Sequence, residues 1–144
     1  MITFRNVDYN NFLEIIDLNV YENQRDFLTS NAVSIAQSKV QPECIPLAIY
    51  NDEKAAGFLM YGIDRRDGQY CIYRFMIDRR YQSKGFGKAA FQLLINQIQQ
   101  DKTHKKILLG VHKESVVAIK LYRSFGFEFN GQIFGKDHIM ELNY

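Results

Sequence analysis

Apolar and polar positions alternate from Ile2 to Val7, which predicts a short first strand, and Phe12, Ile15, Ile16 and Leu18 then recur at helical spacing within Tyr9 to Asn19. From Tyr21 to Ser38 the pattern stays helical but more polar. Phe27, Leu28, Ala32, Ile35 and Ala36 share one side there, and Asn and Ser residues stand where they can cap two shorter helices, a surface flap. Pro42 and Pro46 interrupt this segment around Cys44, and Leu47-Ala48-Ile49-Tyr50 begins a strand. Asn51-Asp52-Glu53-Lys54 has the composition of a hairpin turn, with Ala55 to Tyr61 as the return strand. A further turn at Arg65-Arg66-Asp67-Gly68 leads into Tyr70 to Ile77, a long strand interrupted only by Arg74.

Downstream, Phe86, Ala89, Ala90, Leu93, Leu94 and Ile98 outline the apolar face of a helix, while Lys88, Gln92, Asn96 and Gln99 point away. Lys105 to Val111 is a short apolar strand. Tyr70 to Val111 is therefore a strand-helix-strand unit, for which parallel pairing and a right-handed crossover are expected. Ser115 to Phe125 places Ala118, Leu121, Tyr122 and Phe125 on one helical face, with Gly126 as its C-terminal cap. Strands near Phe127 to Phe129 and Gln132 to Leu142 complete a mixed sheet in an α/β domain covering 1–144.

Composition narrows the function. With 144 residues, 47% of them hydrophobic, the chain suffices for one well-buried core. The 18 Lys and Arg nearly balance the 16 Asp and Glu, which argues against a nucleic-acid or membrane partner. Cys44 and Cys71 sit in apolar stretches without metal-like spacing and read as buried free thiols, with no metal site. Met1 to Arg5 has no leader-like pattern and no apolar run reaches membrane-spanning length, so a cytoplasmic protein is expected.

The candidate chemistry lies at the junction Ile77-Asp78-Arg79-Arg80-Tyr81-Gln82-Ser83-Lys84-Gly85-Phe86-Gly87-Lys88, a strand joined to a helix by Gln-x-x-Gly-x-Gly. The first N–H groups of a helix lack intrahelical partners and sit at its positive end, so a glycine-rich turn there can cradle a phosphate or pyrophosphate. A nucleotide-hydrolysing loop is unsupported, because Gly-Phe-Gly-Lys-Ala lacks the full Gly-x-x-x-x-Gly-Lys-Ser/Thr form and has Ala89 where a metal-binding hydroxyl is needed. A dinucleotide fold fails on topology and on the missing ribose-binding acid.

That turn followed by Ala118-x-x-Leu121-Tyr122-x-x-x-Gly126-Phe127 resembles the GNAT superfamily of N-acetyltransferases, and the resemblance covers essentially the whole chain. Asn23-Gln24-x-x-Phe27, Asn31-Ala32-x-Ser34-Ile35-Ala36, Met60-Tyr61-Gly62 and Arg74-Phe75-Met76-Ile77-Asp78 look like the bacterial spermine/spermidine acetyltransferase group. The resemblance implies a central twisted, mostly antiparallel sheet with a parallel splayed strand pair and flanking helices. It also implies acetyl-CoA as donor. Gln82, Ser83, Lys84, Gly85, Phe86, Gly87 and Lys88 would hold the pyrophosphate, and Phe75, Met76 and Ile77 would offer strand backbone to the pantetheine arm and an N–H to the thioester carbonyl. Tyr122 matches the family tyrosine near the sulfur and is the expected general acid. Ser115 stands where many members carry Asn; it can still cap the helix and offer a hydroxyl.

An amine near pKa 10.4 must lose a proton before it attacks. Glu22, in the polar flap, is the first candidate base, with Asp26, Glu43, Asp78 and His112 as alternatives. Asp78 could equally position the turn. Tyr21, Glu22, Asp26, Phe27, Glu43, Tyr61 and Tyr73 could line a site for a polyamine, a small amine acceptor whose charges suit carboxylates and aromatic faces. Alternatives are a protein N-terminus, another small amine such as an aminoglycoside, or a non-catalytic CoA-binding module. Family members often dimerise, so a homodimer fits the resemblance.

Overall fold

The computed structural model describes residues 1–144. Seven strands form one sheet in the order β1-β2-β3-β4-β5-β7-β6. They are β1 (Ile2–Asn6), β2 (Ile45–Asn51), β3 (Lys54–Ile63), β4 (Tyr70–Ile77), β5 (Lys106–His112), β6 (Glu128–Phe134) and β7 (Asp137–Asn143). Neighbours run antiparallel except β4 and β5, which are parallel and joined through α3 (Phe86–Gln99). α1 (Phe12–Asp17), α2 (Asn31–Val40) and α4 (Val116–Ser124) complete the helices, with 3-10 turns at Glu22–Phe27 and Arg79–Tyr81. This is the expected mixed, mostly antiparallel α/β sheet. No helix is long and apolar enough to cross a membrane.

The strands bury both faces. Leu47, Ile49, Leu59, Ile72 and Ile77 point to the α3/α4 side, while Ala48, Tyr50, Phe58, Met60 and Met76 point to the α1 side with Ile15, Leu18 and Cys44. Successive strand residues face opposite ways, so β2 and β3 feed both cores and read as continuous apolar runs.

Several expectations shift. On α3 the buried residues are Ala90, Phe91, Leu94, Ile95 and Ile98, while Ala89 and Leu93 are exposed. Phe91 draws the helix round by forming edge contacts with Phe75, Phe125 and Phe127. On α2 it is Asn31 and Ser34 that are buried, and Ala32 and Ala36 that face solvent. Asn31 turns in to donate from Nδ2 to the Ile15 carbonyl at 2.9 Å, and Ser34 turns in to Arg74, whose Nε donates to Ser34 Oγ at 3.0 Å and whose other nitrogens donate to the Gln37 amide oxygen and the Tyr73 carbonyl, both at 2.8 Å. A guanidinium on a sheet face needs acceptors, and α2 supplies its polar side. The hairpin turn between β6 and β7 lies at Gly135-Lys136, not before Gln132. Asn130-Gly131, which resembles a turn, is a register irregularity within β6, with Gly131 at φ 88°. Cys44 is buried as expected, but Cys71 is only partly so; both thiols are free.

Candidate active site

One extra residue opens the sheet. Met60 faces Arg74 and Tyr61 faces Ile72, so Tyr73 is a β-bulge in β4. The ladder to β5 contains Tyr70/Ile107, Cys71/Leu108 and Ile72/Leu109 and ends at that bulge. A bulge bends its strand and increases local twist, which carries the rest of β4 away from β5. It also places Tyr73 and Arg74 on the α1/α2 side together. Beyond it, the Asp78 N–H donates to the Ala56 carbonyl on β3 at 2.8 Å. By antiparallel alternation Met76 also faces β3, and Phe75 and Ile77 direct their N–H and C=O groups into the gap.

The cradle follows directly. Ser83 and Gly85 adopt left-handed backbone, φ 63° and 84°. The first helical bond of this turn runs from the Ala89 N–H to the Gly85 carbonyl, and the N–H groups of Gln82 to Lys88 donate to no protein acceptor. A methyl on Gly85 would meet nothing within 4 Å, so glycine serves the backbone conformation there rather than space. With Lys84 and Lys88 exposed beside it, this run of donors fits a pyrophosphate. The Gln82 side chain turns inward instead: its Nε2 donates to the Ile77 carbonyl at 2.9 Å and to Gln24 Oε1 at 3.0 Å.

Asp78 positions this junction. Its carboxylate accepts from the Asn19 N–H at 2.8 Å and from the Arg80 N–H and Nε at 3.0 and 2.8 Å, and it is 2% exposed. Burial pushes its carboxyl up, and these hydrogen bonds more than offset that, leaving it below the usual carboxylate range.

Tyr122 lies on the α3/α4 side, with its ring 5.1 Å from that of Phe91, which in turn meets Phe75 at 5.2 Å. One aromatic ring thus separates it from the open edge of β4. Tyr122 is 8% exposed, and its hydroxyl has no hydrogen-bond partner in the protein. Burial pushes its phenol up to about 12, which keeps it protonated at neutral pH. Ser115 occupies the N-cap position of α4, but its side chain makes no capping bond, so the expected side-chain cap is absent.

On the opposite face the 3-10 helix Glu22–Phe27 crosses the mouth of the gap. Gln24 joins it to Gln82 at the end of β4, and Phe27 stacks on His112 at the end of β5, centroids 4.6 Å apart. Glu22 and Asp26 are exposed on this strap and form no ion pair. Tyr73 donates to Asp64 Oδ2 at 3.0 Å, and Arg66 closes on the same carboxylate with two bonds of 3.0 Å. Those hydrogen bonds from Arg66 hold the Asp64 carboxyl down at about 2. Tyr61 does not join this face: its hydroxyl accepts from Gln97 of α3 at 2.7 Å. Glu43 Oε1 stands 3.4 Å from Arg65 Nε. His104, which the sequence leaves without visible partners, has Asp101 at 3.1 Å from Nδ1 and the Gly68 carbonyl at 3.1 Å from Nε2.

Sequence reasoning did not single out Phe91, Asp64 or the Tyr73 bulge. A period-2 break, with Tyr73 and Arg74 consecutive on one face, is the signal that could have marked the last of these.

The family model described as Acetyltransferase (GNAT) family matches residues 12–127. The chain is 34% identical over 138 residues to the spermine/spermidine N(1)-acetyltransferase of Bacillus subtilis (strain 168), covering 92% of this chain and 91% of that one. Its fold superposes on the spermidine N-acetyltransferase from Vibrio cholerae in complex with CoA and spermine with TM-score 0.76 at 17% identity, covering 99% and 95% of the two chains. It also superposes on the ribosomal-protein-S18-alanine N-acetyltransferase from Escherichia coli, TM-score 0.72 at 18% identity, covering 99% and 94%.

Proposed function

We propose that this chain, which belongs to the acetyltransferase (GNAT) family, transfers the acetyl group of acetyl-CoA to a primary amine of a polyamine such as spermidine or spermine. The observation that carries the reading is continuity: the edge of β4 that β5 leaves open at Phe75 and the Ile77 N–H runs into the unpaired N–H groups of Gln82 to Lys88. The first suits the amides of a pantetheine arm and the second a pyrophosphate. The acceptor class rests on the Bacillus relative, which is similar over almost the whole chain.

Acetyl-CoA supplies the activated acyl group as a thioester. The N–H groups from Gln82 to Lys88, with Lys84 and Lys88, hold the phosphates, and an N–H of the open β4 edge, at Phe75 or Ile77 and not at Met76, which faces β3, stabilises the developing oxyanion. Tyr122 donates from its hydroxyl to the departing sulfur. A phenol at about 12 is a weak acid for a thiolate whose conjugate acid lies near 8.5 in water, but a sulfur in the same dry environment is also pushed up, which narrows the difference. Glu22, on the strap that borders the acceptor face, accepts the amine proton through water. Ser115, ahead of α4, offers its free hydroxyl to the donor arm.

The test is release of CoA thiol from acetyl-CoA with a panel of polyamines, aminoglycosides and an N-terminal peptide. Turnover with spermidine or spermine above the rest is expected. Turnover of only the peptide or aminoglycosides rejects the acceptor, and binding of acetyl-CoA with no thiol released by any amine rejects the enzyme in favour of a CoA-binding module.

A further inference from the structure

The point where β4 and β5 part has a floor without a side chain. Ile107, Leu109 and Val111 of β5 are buried toward α3 and α4, so Gly110 and His112 face the strap side. Gly110 is the residue after the last paired position, Leu109, and a Cβ there would lie 3.2 Å from Cβ and 3.3 Å from Oδ2 of Asp137. Asp137 pairs with His112 across β5 and β7, and its exposed carboxylate leans over Gly110 with no hydrogen-bond or ion-pair partner in the protein. Across the opening stands Arg74, fixed by Ser34, Gln37 and the Tyr73 carbonyl, and close enough for the Asp137 charge to act on it. Two other carboxylates on this face are committed, Asp64 to Arg66 and Tyr73 and Glu43 to Arg65, while Glu22 and Asp26 on the strap are not. The crotch therefore has a negative wall on β7 and a positive wall on β4.

We propose that Asp137 is a specificity-determining residue that binds a second positively charged nitrogen of the acceptor beside the crotch, so that the site selects amines carrying more than one charge. This rests on the polyamine reading above. Arg74 repels that nitrogen from the β4 side and so confines it to the β7 wall, where the missing side chain at Gly110 lets the Asp137 carboxylate lie across β5 toward the opening. Glu22 and Asp26 on the strap remain further negative charges along the same direction.

The experiment compares wild type with Asp137→Asn and Asp137→Glu on spermidine, an α,ω-diaminoalkane and a singly charged monoamine of matched length. Expected is a five- to tenfold fall in kcat/KM for spermidine and the diamine in Asp137→Asn, carried by KM, with the monoamine changed less than about twofold. Asp137→Glu should recover part of the loss, which separates charge from fold. Equal falls for all three amines, or none, overturn the role of Asp137 while leaving the polyamine reading intact. Absence of wild-type turnover with either polycharged amine overturns that reading and this one with it. Unchanged acetyl-CoA affinity in both variants is required; a parallel loss there overturns the assignment in favour of a structural role.

Discussion

Phe27 stacks on His112 with ring centroids 4.6 Å apart and planes 25° from parallel. Together with Gln24 against Gln82 at the other end, it fastens a short, largely exposed 3-10 helix over the mouth of the gap between β4 and β5. Such a segment has almost no buried apolar surface of its own, so these pins decide how often it opens.

Phe27→Ala removes one pin. The stack contributes about 1 kcal/mol, and its loss should speed amide hydrogen exchange across Glu22–Phe27 while the exchange of α3 stays as in wild type. KM for the amine should rise about fivefold, with little change for acetyl-CoA.

Gln82→Ala removes both the bond to the Ile77 carbonyl and the link to the strap. Net loss of one hydrogen bond is about 1 kcal/mol, so calorimetry should show acetyl-CoA binding weakened about fivefold. Gln24→Ala should weaken it less. A double-mutant cycle should give coupling on the order of 1 kcal/mol, since the two side chains share one contact.

Tyr122→Phe keeps the packing against Phe91 and Phe127 and removes only the hydroxyl. Loss of a general acid lowers kcat by about 100-fold or more, with the KM for acetyl-CoA held. An unchanged kcat would show that the phenol is there for packing. The same variant has a signature in stability. Below pH about 10 the phenol is protonated in both folded and unfolded chains. From there to about 12 the unfolded chain loses the proton and the folded one retains it, so stability falls as pH rises. The slope is about 1.4 kcal/mol per pH unit for one such group. Tyr122→Phe should flatten alkaline denaturation in part, with Tyr70, also pushed to about 12, supplying a second share.

Asp78→Asn should act at the acid end. Its carboxyl is held below the usual range in the folded protein, so the stability it contributes is present above the unfolded value near 3.9 and is lost as pH falls below that. Urea titrations should show the variant less stable at pH 7 and the difference shrinking toward pH 3. Since Asp78 joins Asn19 to the start of the cradle, acetyl-CoA affinity should fall with it.

Gly85→Ala tests conformation alone, because no atom stands within 4 Å of the added methyl. A left-handed backbone with a side chain costs about 1–2 kcal/mol. Thermal unfolding should report that loss, and acetyl-CoA affinity should drop if the turn relaxes.

Much of this architecture is legible in the residues. Tyr70 to Ile77 has the bounds of β4, and the glycine turn, α3 and Gly126 at φ 98° fall where pattern and turn chemistry put them. What escapes depends on neighbours distant in sequence. α2 turns Asn31 and Ser34 inward because the Ile15 carbonyl and Arg74 wait there, and Leu93 is displaced from the buried face of α3 by Phe91 and its ring contacts. Gln82 reads as a cofactor contact, yet the Ile77 carbonyl and Gln24 claim its side chain. Asn130-Gly131 carries hairpin chemistry, and strand pairing with β7 overrides it. Asp137 gives no sequence signal at all; its position over Gly110 exists only after β7 has paired with β5.

The seam at Tyr70/Ile107, Cys71/Leu108 and Ile72/Leu109 makes the sheet two plates joined at a corner. One plate, β1 to β4, carries the phosphate cradle; the other, made of β5, β7 and β6, carries Asp137 and supports the helix bearing Tyr122. A hairpin lengthened, shortened or recharged at Gly135-Lys136 is continuous with the second plate alone. If Asp137 sets acceptor preference, a change in that hairpin should alter it while β4 and the cradle keep their geometry, a separation that one inserted residue in β4 makes available to the chain.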